Sequence, residues 1–491
     1  MDTILRGGRV IDPGTGTDAI LDVGISRGRV TALSESITQA GEATVIDVRG
    51  LIVGPGFVDL HSHVHSIAGQ RLQALDGVTT ALDLEAGVMP LQRAYDEAAN
   101  AGRPLNYGFS ASWAFARGQV LAGVEPDADM NTQLALLGDP RWQRSSTPRE
   151  LARWLELLDG ELAAGALGIG VLMGYAPRSD PAEFLALAHL AAKAGAPAFT
   201  HVREIAEADP TTPIDGSTEL IRAAEETGAA MHHCHVNSTS RRHLDQVLAR
   251  LDNARSLGAP LTVEAYPYGA GSTGIGASFL APDRIAVMGL TPTDIVMVNS
   301  GERIADLGRL RELRASDPGA LCIVHFLDED DTADRELLQR GLIFPDSIVA
   351  SDAMPLSWPD GSTDTRAWPL PPGATTHPRT AGTFAKSLRQ LVRETGLWSW
   401  PEAFRRCSYL PARVLDDIAP DARRKGHLGI GADADIVVLD PDAVTDNATY
   451  ADSARPSSGV RELLVAGVSV VRNGALDPDA YPGQPLRGQP G

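Results

Sequence analysis

The chain has 491 residues, 43 % of them hydrophobic, and a formal net charge of −20 at neutral pH. That length allows a large core and more than one domain, while the acidity argues against nucleic acid as a partner, because phosphate binding needs a basic face. Three scattered cysteines, Cys234, Cys322 and Cys407, make neither a disulfide framework nor a CxxC pair. The opening MDTILRGGRV lacks the charged-then-apolar pattern of a signal peptide. No apolar run approaches the ~20 residues that span a bilayer. The expectation is a cytoplasmic protein with no membrane partner, acting on a small molecule and free to form a homo-oligomer.

Residues 1–54 read as short strands separated by glycine-containing turns: TILRGGRVID, DVGISRGRVTAL and ATVIDVRGLIVG alternate apolar and polar side chains. The C-terminal part repeats the pattern in HLGIGADADIVVLD and VRELLVAGVSVVRNG. Together the two ends suggest a small β-sandwich built from residues 1–54 and 426–491. A Pro/Gly-rich tail after Asp477 is expected to fray.

The middle alternates short apolar runs with helical patterns. Thr147, Pro148 and Glu150 form a capping-box signature, repeated by Asp180, Pro181 and Glu183. Between and after these helices lie the strand-like segments ALGIGVLMG, APAFTHVRE and AAMHHCHVN. Such alternation implies a parallel sheet, and at this length a (β/α)8 TIM-type barrel is the expected closure over residues 55–425. Residues from about 272 to 345 exceed what one βα loop needs and are read as an insertion beside the barrel mouth.

In a barrel of this kind the chemistry sits at the carboxyl ends of the strands. GPGFVDLHSHVHS puts His61 and His63 two residues apart, so both imidazoles face one side of a strand. Glu85 ends GVTTALDLEAG, His201 ends APAFTH, His235 lies in AAMHHCHVN and Asp352 ends DSIVASDAMP. Four histidines and two carboxylates at strand ends fit a hydrolytic site with one or two zinc ions, or another divalent metal. Asp83 shares a strand face with Glu85 and competes with it. His65 extends the histidine alternation and is a candidate for touching substrate.

The ordered segments PGFVDLHSH, GVTT, GALGIG…YAP, THVRE, EAYPYGAGST, ASDAMP, HPRTAGTF and GADADIVVLDPD resemble the amidohydrolase superfamily, and within it the N-acyl-D-amino-acid deacylases. The resemblance covers nearly the whole chain. It implies a (β/α)8 barrel with a flanking β-sandwich, hydrolysis of a non-peptide amide by an activated water, His61 and His63 as ligands of the deeper metal, His201 and His235 as ligands of the outer one, and Asp352 as the carboxylate that takes a proton from the water. Two positions depart from the family. A cysteine often bridges the metals near the end of GVTT…G, and here Glu85 stands as the substitute. The family's lysine two residues after the fourth histidine, which holds the substrate carboxylate, is Asn237 here, leaving Arg379 and Tyr266 as carboxylate binders, with His377 and Arg203 as further candidates to line the substrate pocket. The three lysines, at 193, 386 and 425, are not placed to supply a carbamylated bridge. Asn237 also raises a rival activity, the opening or closing of a cyclic amide such as a lactam, hydantoin or imide, and a metal-bearing barrel that binds without catalysis is a third reading.

Overall fold

The structure, a computed structural model, describes residues 1–38 and 41–489. Its central element is an eight-stranded parallel sheet: β1 (Phe57–Asp59), β2 (Val78–Val88), β3 (Asn106–Ser112), β4 (Ile169–Leu172), β5 (Ala198–His201), β6 (Met231–His233), β7 (Leu261–Ala265) and β8 (Ile348–Val349). The strands stand side by side in chain order from β1 to β8. Just beyond β1 and β8 the edges are stitched together by a parallel bridge between Ser62 and Ala353. The His63 N–H donates to the Ala353 carbonyl at 2.9 Å and the Ala353 N–H to the His61 carbonyl at 3.3 Å. The expected (β/α)8 barrel is thereby realised.

The helices begin where the sequence signals them. Pro148–Ala163 and Pro181–Ala194 each start with a complete capping box, Thr147 with Glu150 and Asp180 with Glu183. The carboxylate of Asp215 accepts the Thr218 N–H at 2.9 Å and opens Gly216–Thr227. No helix among the described residues is long and apolar enough to cross a membrane.

By compactness the chain divides into one unit of residues 1–82, 98–108 and 348–486, and another of 83–97, 109–347 and the segment from Arg487 on. The first unit carries the strands contributed by both ends of the chain. Nine of them, among the described residues, share one sheet in which Ile52–Pro55 pairs on one side with Thr3–Asp12 and on the other with Ile436–Leu439. Their inward side chains, among them Leu5, Val10, Val23, Val53, Ile436, Val438 and Leu464, form one apolar cluster.

The tail departs from expectation. It docks on the first unit: Gly483 N–H donates to the Arg103 carbonyl, Tyr107 N–H to the Gln484 carbonyl and Leu486 N–H to the Tyr107 carbonyl. The Arg71 guanidinium holds the Pro478 carbonyl at 2.6 Å and the Tyr481 hydroxyl at 3.0 Å. Main-chain groups that would otherwise be unpaired, together with the burial of Leu486, order a stretch whose composition reads as loop.

In the second unit a three-stranded antiparallel sheet, Ala270–Gly274, Ile295–Met297 and Leu321–His325, interrupts the barrel pattern. Helix Thr332–Ile343 then packs against β7, so the excursion ends before that helix.

Candidate metal centre

Each unit gathers its own set of candidate ligand side chains. In the first, β1 ends at Asp59, the chain bends at Leu60, and the rings of His61 and His63, two residues apart, converge. Their Nε2 atoms lie 3.1 Å apart, and each is 3.5 Å from Oδ1 of Asp352. All three residues are buried. Two donors about 2.0–2.1 Å from a tetrahedral zinc are separated by about 3.4 Å, so this triangle has the edge lengths of a zinc coordination face. Two imidazole nitrogens and a carboxylate oxygen also form the donor set such an ion prefers.

The triangle is held from behind. Asp59, fully buried, accepts the main-chain N–H groups of His61 (3.2 Å) and Ser351 (3.0 Å), the Gln73 amide at 2.9 Å and the Ser351 hydroxyl. Burial pushes its pKa up to about 6, against the pull of the Ser351 hydrogen bonds. Asp352 has a left-handed backbone, φ 50°, which costs a non-glycine residue about 1–2 kcal/mol. Arg379 holds it there. Its Nε donates to the Asp352 carbonyl and its Nη2 lies 2.7 Å from Oδ1.

In the second unit Glu85, within β2, meets His201 at the end of β5 and His235 in the turn after β6. Its Oε1 lies 3.1 Å from His201 Nδ1 and 2.7 Å from His235 Nε2. Asp83, its rival in sequence, accepts the Gly87 N–H at 3.3 Å, so the carboxylate that both histidines reach is Glu85. His235 again has a left-handed backbone, φ 30° and ψ 59°. Two of the non-glycine residues with positive φ are thus at the candidate site, where such strain concentrates. Over His201 lies an aromatic wall. The Tyr175 ring is 4.6 Å from it and the Phe279 ring 6.4 Å, nearly parallel. Gly174 makes the close approach feasible, since a Cβ there would fall 2.5 Å from His201 Cδ2.

The remaining sequence candidates take other places. Arg379, expected to bind a substrate carboxylate, is wholly buried against Asp352. Arg203, expected at the pocket, is fully buried too; it pairs with Glu219 at 2.7 Å and donates to the Pro177 carbonyl and the Ser179 hydroxyl. Burial holds the Glu219 carboxyl above its ordinary range even beside that guanidinium. Asn237 is buried and bonded to the main chain of Tyr266 through both its amide nitrogen and its oxygen. Tyr266 is buried, its ring 6.4 Å from that of His235. His377 is buried; its Nδ1 accepts the Arg379 N–H at 3.1 Å and its ring packs on Tyr450. His65 is half-buried. The physical reason is common to Arg379, Arg203 and Asn237: a fully buried polar group needs partners within the fold, and these residues find them in the scaffold around the ligands.

One residue escaped sequence reading. Glu264 in β7 is buried and lies 2.9 Å from His232 Nε2. Its position at the end of the apolar run LTV, inside a barrel strand, is the signal that marks it. Beside it His233 is fully buried between the Ser217 hydroxyl and the Cys234 carbonyl, and burial lowers its pKa to about 3, keeping it neutral.

A parallel eight-stranded barrel with histidines and carboxylates at its strand ends is the architecture of the amidohydrolases, and this chain belongs to the amidohydrolase family, whose sequence pattern matches residues 44–471. An N-acyl-D-glutamate deacylase of Alcaligenes xylosoxydans xylosoxydans is 27 % identical over 517 residues, spanning 99 % of this chain and 96 % of that protein. A D-aminoacylase of the same organism is 26 % identical over 499 residues, spanning 96 % and 94 %. Among solved structures, an N-acyl-D-glutamate deacylase from Bordetella bronchiseptica, complexed with zinc and a phosphonate mimic of the tetrahedral intermediate, superposes with a TM-score of 0.71 at 26 % identity over 99 % of each chain.

Proposed function

We propose that this chain is a metal-dependent hydrolase that removes the acyl group from an N-acyl-D-amino acid. The observation that carries the reading is the triangle of His61, His63 and Asp352, whose edges match a zinc coordination face. In it His61, His63 and Asp352 hold one divalent ion and His201, His235 and Glu85 hold a second. The relatives' substrates support the amide and the D-amino acid.

A bound ion supplies a Lewis acid for the acyl carbonyl and an acidified water at neutral pH. The chain's own residues do the rest. Asp352 accepts the proton of the attacking water on its carboxylate and returns it to the departing nitrogen. Arg379 fixes the direction of that carboxylate through two contacts, so no reorientation is needed as the proton moves. Tyr175 and Phe279 shield the His201 side of the site from water and offer apolar surface to the substrate.

The first experiment is metal analysis of the purified protein beside its Glu85→Ala variant, followed by a panel of N-acetyl-D-amino acids, their L-isomers, hydantoins and lactams. About two ions falling to one, with turnover confined to the linear D-substrates, is the expected result. Loss of both ions would mean that Glu85 serves both. One ion in both proteins removes Glu85 from the ligand set. Faster turnover of cyclic amides than of any linear one replaces the deacylase with a cyclic amidase, the reading that Asn237 in the lysine's place favours.

A further inference from the structure

We infer that Glu264 is a positioning residue for His235, holding that imidazole in place through the main chain. The inference rests on the reading of His201, His235 and Glu85 as metal ligands. Strand β6 pairs with β7 through Met231↔Leu261, His232↔Thr262 and His233↔Val263. His235 lies beyond this ladder, with the left-handed backbone that lets the chain leave the strand and turn at once into the short helix Val236–Ser240. Its main-chain N–H is taken instead by Oε1 of Glu264, at 3.2 Å.

The opposite oxygen of the same carboxylate is anchored. In a parallel pair, directly opposed residues share a face, so His232, Thr262 and Glu264 lie on one side of the sheet. Glu264 Oε2 is 2.9 Å from His232 Nε2, and His232 Nδ1 is 2.7 Å from the Thr262 hydroxyl. The His232 ring thus bridges the Thr262 hydroxyl and the Glu264 carboxylate. Hydrogen bonds link Thr262, His232 and Glu264, and the Glu264 carboxylate accepts the His235 N–H at their end. It clamps a backbone conformation that an unassisted histidine rarely adopts. Glu264 and His232 are among the most buried polar residues of the unit, at 1 % and 0 % exposure, so the clamp is rigid and excludes competing water.

This arrangement separates Glu264 from an ordinary structural carboxylate: its removal should change the ion at His201 and His235 before it changes the fold. The test uses the full chain, stripped of metal and titrated with Co²⁺, as wild type, Glu264→Leu, Glu264→Gln and Glu264→Asp. The readouts are ions bound per chain, Co²⁺ affinity at each step, the visible absorption of the bound Co²⁺ and the melting temperature of the metal-free protein. Glu264→Leu should weaken one binding step about 10- to 100-fold and alter its absorption, with the other step unmoved. Glu264→Gln still offers an oxygen to the His235 N–H and should stay within about threefold of wild type. Glu264→Asp draws the acceptor back and should weaken the same step, which keeps the test open should the leucine variant fail to fold. Wild-type affinity and spectrum in the leucine or aspartate variant overturns the inference, whatever the melting temperature does. Damage in the glutamine variant equal to that in the leucine variant also overturns it, since charge rather than the main-chain bond would then be responsible. If wild type itself binds no ion that His201→Ala removes, the metal assignment falls and the inference with it, and the wild-type count alone tells the two failures apart.

Discussion

The two groups of candidate ligands are built by opposite strategies. His61 and His63 come from one continuous stretch two residues apart, and their carboxylate partner, Asp352, follows the strand whose continuation pairs with theirs at Ser62 and Ala353. The second group draws Glu85 and His201 from two strands and His235 from the turn that follows a third, and depends on a carboxylate to collect them. Local spacing fixes His61 and His63; side chains from neighbouring segments aim Asp352 and the second group. The lesson is one of tolerance: the histidine pair should survive changes in its surroundings that disable the second group.

The sharpest test of the first group is Asp352→Asn. It should lower kcat about 10²- to 10⁴-fold while His61 and His63 keep their ion, measured by steady-state kinetics beside metal analysis. Retained turnover would remove Asp352 from proton transfer. Next in size is Arg379→Met, which frees the Asp352 carbonyl and carboxylate together. A drop in kcat of about 10²-fold with KM little changed is expected for a misaimed carboxylate; a rise in KM alone would restore Arg379 to binding the substrate. For the second group, Gly174→Ala pushes a methyl into His201 and should weaken one binding step about 10-fold in a Co²⁺ titration, leaving the other as it was. An equal loss at both steps would erase the contrast between the groups. The smallest effect belongs to Phe279→Ala. It should raise KM several-fold for substrates with apolar side chains and less for acidic ones, because about 25 cal/mol is lost for each Å² of apolar contact removed.

Most of the architecture was legible because it is written in local chemistry. The capping boxes at Thr147 and Asp180 start helices at those residues, and alternate histidines project to one side of a strand in any context. The choice between Asp83 and Glu85 was not legible, because both share a face and only the approach of His201 and His235 separates them. Nor were the roles of Arg379, Arg203 and Asn237. A polar residue beside a site reads the same in sequence whether it faces substrate or is buried against a partner distant in the chain, such as Asp352, Glu219 or the Tyr266 main chain. The ordered tail was hidden for a related reason: its partners are main-chain groups of Arg103 and Tyr107, which no composition reveals.

The sheet made from both ends of the chain also sets a timetable for synthesis. Ile52–Pro55 emerges early, but one of its partners is Ile436–Leu439, and at 5–20 residues per second the roughly 380 residues between them take about 20 to 75 s to translate. Until then an apolar strand such as Ile52–Pro55 has one open edge, the kind of surface that templates aggregation. A ribosome stalled within the barrel would release a chain with that edge exposed, so nascent-chain chaperones should engage Ile52–Pro55 and its neighbours throughout synthesis of the barrel and let go only after Ile436–Leu439 has appeared.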